Sequence, residues 1–373
     1  MKPLPHAEPA EIGLDPRRLD DAYRLLARWT DGPARAMSGA AILVGREGKM
    51  VAPRFFGRQG PEPDAEPIRA DASFLLASIT KPITYLAGLM LLERGLLNLN
   101  DPVRRYIPDF AAHHKEDIRV LHLYTHTSGM PDMLPNNLEL RQRHAPLDVF
   151  IRAAVRDTVP LFAAGTNLRY QSMGTLVVAE LVQRLSGMTI RDYLRREIFD
   201  PLGLRATALG SPGLERARLV RVDVPRQQEG KDYNWNSTYW QEFGAPWGGM
   251  FSSPEDLAVL CQLMLNGGSY EGVRLLSSAT VERMTTNRLA ELPELPEPIR
   301  RTQPWGLGWR MNHPGQPDSW SDLLGNHVFG HAGATGTIAW IDPQRHGFCI
   351  ILTTKRDSPR MVSLSNVIAS AFT

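Results

Sequence analysis

Short apolar runs near both ends of the chain predict β-strands. Residues 40–44 and 50–57 form one pair near the N-terminus, and residues 335–341 and 348–353 form another near the C-terminus. Turn residues separate the two members of each pair, which is the pattern of a β-hairpin. The strands from the two ends are therefore expected to share one mostly antiparallel sheet.

The other regular apolar positions recur at helical spacing. Asp15 followed by Pro16 predicts an N-cap with proline in the first turn, and Ser253 followed by Pro254 predicts another. Near the C-terminus, Met361, Leu364 and Ile368 lie on one face of a predicted helix. From residue 76 to residue 285 the pattern predicts almost only helices, of which the clearest are 172–186, 189–199 and 254–265.

This arrangement predicts an α+β fold with a discontinuous domain. Residues 1–75 and 286–373 are expected to form an antiparallel sheet flanked by helices, and residues 76–285 an inserted, mainly helical domain. An active site is expected at the boundary between them, where ligand sites commonly occur.

Composition excludes several classes of function. The 373 residues contain 42 basic and 40 acidic side chains, so the net charge of +2 offers no broad field to attract nucleic acid. The 2 cysteines are too few for a disulfide framework and lack the CxxC spacing of a zinc site. The absence of HExxH, P-loop and GxGxxG motifs argues against a simple metalloprotease, P-loop or dinucleotide-binding protein. No apolar run is long enough for a membrane span, and the N-terminus lacks a signal-peptide pattern, so a cytoplasmic protein is expected.

The first candidate for chemistry is the S-x-x-K sequence from Ser78 to Lys81. Residues three apart lie on one face of a helix, so the hydroxyl and the amine are predicted to be neighbours at a helix start. The free N–H groups there favour a developing negative charge. A serine hydroxyl needs a neighbouring base to become a nucleophile, and by itself the motif fits an ordinary helix cap equally well.

Two further segments supply possible partners. The Tyr170 phenol is a candidate base for Ser78, provided that the Lys81 ammonium lowers its pKa from about 10. The small residues from Gly330 to Ala334 are expected to let a strand approach a ligand closely. A backbone N–H from this segment, together with that of Ser78, would bind an oxyanion.

These three elements, in this order, resemble the serine β-lactamase and penicillin-binding-protein superfamily, and its class C branch with the family VIII esterases and D-amino-acid peptidases in particular. Flanking segments support the resemblance, including LHLYTHTSGMP (121–131), AGTNLRYQSMG (164–174) and GHAGATGTIAWIDP (330–343). It implies a Ser78 nucleophile tuned by Lys81, with Tyr170 as general base and as acid toward the leaving group. It also implies an oxyanion hole formed by the Ser78 and Ala334 amides, and no metal or organic cofactor.

The remaining expectations concern the substrate. Ser172 stands where relatives commonly have asparagine, and His331, beside Gly333, stands in the place of the lysine in K-T-G. A neutral imidazole, with a pKa of about 6.5, is expected to weaken the binding of anionic β-lactams. Trp240 and Trp247 belong to an aromatic-rich stretch (233–247) that would wall a pocket, or would instead hold a loop to the core.

A carboxylesterase acting on small or medium acyl esters is therefore favoured. The alternatives are a D-aminopeptidase or DD-carboxypeptidase, a weak β-lactamase, an acyltransferase that uses the same acyl-enzyme, and a non-catalytic binding module. The expected partner is a small ester or amide substrate, and the sequence leaves the oligomeric state open.

Overall fold

The computed structural model describes residues 3–316 and 320–373. Its helices are α1 (Pro16–Thr30), α2 (Thr80–Glu93), α3 (Val120–Tyr124), α4 (Asn137–Gln142), α5 (Leu147–Arg156), α6 (Ser172–Ser186), α7 (Ile190–Leu194), α8 (Asp200–Leu202), α9 (Thr238–Phe243), α10 (Pro254–Leu265), α11 (Ser278–Thr285), α12 (Glu297–Thr302) and α13 (Ser358–Ala369). Its strands are β1 (Gly39–Arg46), β2 (Lys49–Met50), β3 (Arg54–Gly57), β4 (Phe74–Leu75), β5 (Ala208–Leu209), β6 (Met250–Ser252), β7 (Ser269–Tyr270), β8 (Val273–Arg274), β9 (Arg310–Met311), β10 (Phe329–Ala332), β11 (Ile338–Asp342) and β12 (Gly347–Thr353).

One antiparallel sheet joins the two ends of the chain. Its 7 strands follow the order β2-β1-β12-β11-β10-β9, with β3 paired to β1. Strand β1 from the N-terminal part pairs along its whole length with β12, from Ala40 opposite Thr353 to Arg46 opposite Gly347. The structure therefore confirms the prediction that strands from the two ends of the chain share one sheet.

Both faces of this sheet are covered. Successive side chains of a strand point to opposite faces. Accordingly, Ile42 packs in a core beneath α1 and α13, whereas its neighbour Leu43 packs in the larger core formed with the helical part of the chain. When both faces of a sheet are buried, the sequence of a strand is continuously apolar, as that of β12 is.

Helix starts follow the predicted caps. The Asp15 carboxylate accepts a hydrogen bond from the backbone N–H of Arg17 at 2.8 Å, and the Ser253 hydroxyl accepts one from Asp256 at 3.1 Å. These contacts satisfy N–H groups that a helix leaves unpaired. The predicted helices 172–186 and 254–265 are present as α6 and α10, and the predicted helix 189–199 continues from α7 as a π-helical segment, Arg195–Phe199.

Besides the predicted helices, residues 76–285 contain short strands, since β5 and β6 form a small sheet with β4, and β7 pairs with β8. One detail of the predicted fold is wrong. His331 lies within the separate strand β10 and not at the entry to a strand that begins near Thr335. The division into domains at residues 75/76 and 285/286 stays a prediction.

Within the described ranges, no helix combines the length and apolar character needed to cross a membrane.

Helix α2 passes through the centre of the larger core. Its residues from Thr80 to Leu91 are buried, and it packs against α6. A helix that is apolar on all sides requires such burial. Within this buried stretch, Lys81 carries an amine into the apolar environment.

Candidate active site

Ser78 lies in a 3-10 turn, Ala77–Ile79, that leads directly into α2. The preceding residue, Ala77, has a φ of 47°, in the left-handed region that residues other than glycine rarely adopt. Such a sharp turn presents the Ser78 side chain to a cavity while its neighbours Ala77 and Ile79 are buried. Strained backbone of this kind is often found at functional sites.

The Lys81 amine contacts the Ser78 hydroxyl, as the three-residue spacing predicts. Lys81 is 1% exposed, and its Nζ donates to Ser78 Oγ at 3.1 Å and to the backbone oxygen of Trp247 at 2.9 Å. Burial lowers the pKa of Lys81 to about 7, although the negative charge of Asp132 acts in the opposite direction. Near neutral pH a substantial fraction of this amine is therefore unprotonated and able to accept a proton.

Tyr170 lies against the same lysine, but its pKa moves in the direction opposite to the prediction. Burial raises the phenol pKa well above its usual value, and the smaller effect of the Ser78 hydroxyl lowers it. The Lys81 Nζ lies 4.6 Å from the centre of the Tyr170 ring, so the amine faces the ring. The prediction that Lys81 makes this phenol acidic is therefore wrong.

The protonated Tyr170 phenol remains available as a proton donor. Its Oη is buried near the Ser78 hydroxyl, which is close enough to lower the phenol pKa, but among the described residues no partner meets full hydrogen-bond geometry. The rings of His126 and Trp305 pack around the phenol ring, with centroid distances of 4.7 Å and 6.1 Å. A buried donor without a partner is costly, so this atom is suited to a group that a substrate brings.

His331 is neutral in the structure. Its Nδ1–H donates to the backbone oxygen of Ala332 at 2.9 Å, which leaves Nε2 without a proton and, in the described chain, without a partner. Burial lowers the His331 pKa to about 3, and the nearby Lys81 lowers it further. The side chain in the place of the K-T-G lysine therefore carries no charge at neutral pH.

The turn that follows β10 is held against the backbone that leads to Ser78. Thr335 Oγ1 donates to the oxygen of Leu75 at 2.8 Å, and Thr337 Oγ1 donates to that of Leu76 at 2.7 Å. The exposed Ala334 lines the cavity, and its amide has no acceptor within the described part of the chain. An oxyanion hole formed by the Ser78 and Ala334 amides stays a prediction that this geometry favours.

These groups surround a cavity of about 580 Å³. Lys81 lies beneath its floor, in contact with Ser78. The predicted site residues that line the cavity are Ser78, Tyr170, Ser172, Trp240, Trp247, His331, Gly333 and Ala334. Their assigned roles stay predictions. Among the described residues, no His, Cys, Asp or Glu side chains are grouped as a metal site would require.

Two positioning residues were missed by the sequence analysis. Asp132 accepts hydrogen bonds at Oδ1 from both the backbone N–H and the hydroxyl of Ser172, at 2.9 Å and 2.7 Å. The buried Gln171 accepts from the Ser128 hydroxyl and donates to the backbone oxygen of Leu123. Together they fix the segment that carries Tyr170. Ser128 lies within the segment 121–131 noted for its resemblance, but spacing alone could not pair it with a residue so far along the chain.

The fold and the site define a serine hydrolase with the architecture of β-lactamases and penicillin-binding proteins. The chain belongs to the beta-lactamase family, whose model matches residues 25–371. Both conclusions confirm the resemblance noted from the sequence.

Individual relatives cover nearly the whole chain. A protein of Escherichia coli O157:H7, named as a predicted D-alanyl-D-alanine carboxypeptidase, is 26% identical over 95% of this chain and 86% of its own length. A family VIII carboxylesterase superposes with a TM-score of 0.76 at 20% identity, covering 96% of this chain and 99% of that one. A penicillin-binding-protein homologue from Caulobacter crescentus gives a TM-score of 0.75 at 22% identity, with 96% and 99% covered.

Proposed function

We propose that this protein is a carboxylesterase that hydrolyses small or medium acyl esters through an acyl-enzyme on Ser78. The observation that carries the proposal is the 3.1 Å contact between the Ser78 hydroxyl and the buried amine of Lys81, whose pKa is about 7. A nucleophile and a base within hydrogen-bond reach are the minimum that acyl transfer requires.

The reaction begins with the neutral amine of Lys81. It takes the proton of Ser78 as Oγ attacks the ester carbonyl carbon, and the amides of Ser78 and Ala334 bind the resulting oxyanion. The Tyr170 phenol gives its proton to the departing alkoxide, and the phenolate regains a proton from the Lys81 ammonium. Water then attacks the acyl-enzyme and gives a proton to the neutral amine of Lys81. The bond between Ser78 Oγ and the acyl carbon breaks, Ser78 Oγ takes the proton back from the Lys81 ammonium, and the carboxylic acid is released.

Two features favour esters over anionic β-lactams. The neutral His331 removes the permanent cation that its position holds in relatives with K-T-G. The Ser172 hydroxyl is committed to Asp132 and replaces an amide that would hold an acyl-amide group. The indole rings of Trp240 and Trp247 give the cavity the apolar wall that an acyl chain requires.

The direct test is hydrolysis of p-nitrophenyl esters of increasing acyl length by the wild type and by Ser78→Ala. We expect kcat/KM to fall by at least about 10³-fold, because the nucleophile is removed. Ser363→Ala, an exposed serine on α13, serves as the matched control and should retain the wild-type rate. Equal rates in the wild type and Ser78→Ala would exclude the proposal.

The D-alanyl-D-alanine carboxypeptidase name of the Escherichia coli relative supports a second candidate, an amidase of D-alanyl peptides. The same acyl-enzyme would serve, with the amine as leaving group. Release of D-alanine from a D-alanyl-D-alanine peptide, and turnover of nitrocefin, distinguish this activity and a weak β-lactamase from an esterase. Addition of an acceptor alcohol to the ester assay reveals acyl transfer, since it yields a new ester in place of the free acid.

A further inference from the structure

The charged side chains around the cavity are predominantly basic. This excess is local, because the whole chain carries a net charge of only +2. The acidic lining residue is Asp132, and the basic lining residues are Arg141, Arg169, Arg310 and Arg356. A concave site lined by one sign of charge selects a ligand of the other sign.

Arg141 is a basic group that the described residues compensate poorly. Arg169 and Arg356 are exposed, so water solvates them. Arg141 is half-buried, at the end of α4, and no carboxylate of the described residues lies within 4 Å of it. One terminal nitrogen donates to the backbone oxygen of Tyr233 at 2.7 Å, whereas Nε is buried without a partner.

The surroundings of Arg141 are aromatic. Its guanidinium carbon lies 4.3 Å from the ring centre of Trp240, and burial lowers the pKa of Arg141 with only the Tyr239 and Tyr233 phenols acting against it. A cation–π contact offsets part of the cost of burying a charge, but a charged hydrogen-bonding partner is the usual full compensation. The missing counter-ion is thus expected to come from a ligand.

The position of Arg141 indicates which part of a ligand reaches it. Lys81 contacts the backbone of Trp247, the Trp247 ring lies 6.5 Å from that of Trp240, and Arg141 lies over Trp240. The guanidinium, the two indole rings and Ser78 line the same cavity. A ligand that reaches both Ser78 and Arg141 along these rings needs an apolar chain with an anionic end.

We propose that Arg141 binds a free carboxylate at the far end of the acyl chain, and that the preferred substrates are half esters of dicarboxylic acids. The planar guanidinium matches a carboxylate in shape and charge. The assignment rests on the proposed esterase function of Ser78 and deepens it by naming the acyl group. Arg141 thereby provides a cation in the cavity, at a different position from the neutral His331.

The experiment compares p-nitrophenyl half esters of adipic and suberic acid with the same esters whose free carboxylate is replaced by a carboxamide. We expect the wild type to prefer the carboxylate over the carboxamide by roughly 10- to 100-fold in kcat/KM, as a charged hydrogen bond implies. In Arg141→Gln this ratio should fall to about one. The ratio isolates charge recognition, because looser packing of Trp240 slows both esters.

Arg143→Gln is the matched control. Arg143 follows α4 directly, is exposed and pairs with Glu139 at 3.1 Å, so its removal should leave the preference for the carboxylate intact. A wild type without this preference, or an Arg141→Gln variant that keeps it, overturns the assignment.

A binding measurement separates this inference from the proposed function. Adipate binding to Ser78→Ala, followed by quenching of tryptophan fluorescence, needs no catalysis. Adipate binding that is lost in Ser78→Ala/Arg141→Gln supports the carboxylate site even if no ester is hydrolysed. An affinity for adipate that is equal in the two variants contradicts it.

Discussion

The environment of Lys81 decides its protonation. An amine in water has a pKa of about 10.4, and burial penalises the charged form. Lys81 lies in the apolar core around α2 with a hydroxyl and a backbone oxygen as hydrogen-bonding partners. Burial outweighs the opposing charge of Asp132, so the pKa of Lys81 is about 7. Burial raises the pKa of Tyr170 instead, because a phenol is charged when it is deprotonated. The pair therefore combines a weakly basic amine with a phenol that keeps its proton.

The phenol of Tyr170 is predicted to assist the leaving group. A nitrophenolate leaves readily without a proton, whereas an alkoxide does not. In Tyr170→Phe we expect kcat/KM to fall by about 10-fold for a p-nitrophenyl ester and by about 10³-fold for the ethyl ester of the same acid. Acid release in a pH-stat measures both. An equal loss on the two esters would show that Tyr170 acts before the leaving group departs.

The sequence predicted Ser78 and Lys81 as neighbours, but it predicted the wrong direction for the pKa of Tyr170. Spacing places Ser78 and Lys81 on one helical face, and this neighbour relation is present in the structure. The pKa of each group depends instead on burial by residues distant in the chain, such as Trp247 above Lys81 and His126 beside Tyr170. No local pattern contains that information.

At the scale of elements, the turn between β10 and β11 fixes the distance from the sheet to the nucleophile. A Cβ added at Gly333 would lie 2.2 Å from Thr337 Oγ1 and 2.4 Å from the oxygen of Leu76. Only glycine therefore allows the turn to pack directly on the backbone before Ser78. The amide of Ala334, one residue further, takes its position from this contact.

Gly333→Ala is therefore predicted to displace the Ala334 amide. We expect kcat/KM for p-nitrophenyl esters to fall by about 10²-fold, the usual effect of losing one oxyanion donor. Gly248→Ala is a suitable comparison, because its Cβ would meet Ala77 at an ordinary 3.7 Å and its loss should be far smaller. A folded Gly333→Ala variant with wild-type activity would contradict this role of the turn.

Elements that bury a face or carry a cap were predictable, and the shortest strands were not. The local sequence predicts the caps at Asp15 and Ser253 and the buried strand β12. Strands β5 and β6 contain 2 and 3 residues, too few to display an alternating pattern. Strand β10 consists partly of Gly330 and Ala332, which have little side chain to reveal a buried face.

At the scale of the whole molecule, the site forms where the sheet meets α2. The sheet contributes His331 and the turn that carries Ala334, whereas the turn before α2, α2 itself and the segment before α6 contribute Ser78, Lys81 and Tyr170. This convergence from distant parts of the chain buries Lys81 beneath Ser78. The burial lowers the pKa of Lys81 to about 7, so that the neutral amine is present near neutral pH.

The pH dependence of kcat/KM for a p-nitrophenyl ester tests most directly whether neutral Lys81 is the base for Ser78. The active form of Lys81 is the neutral one and its pKa is about 7, so kcat/KM should fall tenfold per pH unit below that value and level off above it. His331 has a pKa of about 3 and the pKa of His126 lies well below its usual value, so neither histidine would produce this limb.

Lys81→Arg, which keeps the positive charge at all accessible pH values, should abolish the limb together with most of the activity. If neutral Lys81 is the base for Ser78, the pH profile of the wild type has a single ascending limb centred near pH 7. Activity that is constant between about pH 5 and pH 9, or that rises only where a phenol ionises, would contradict the assignment of Lys81 as the base.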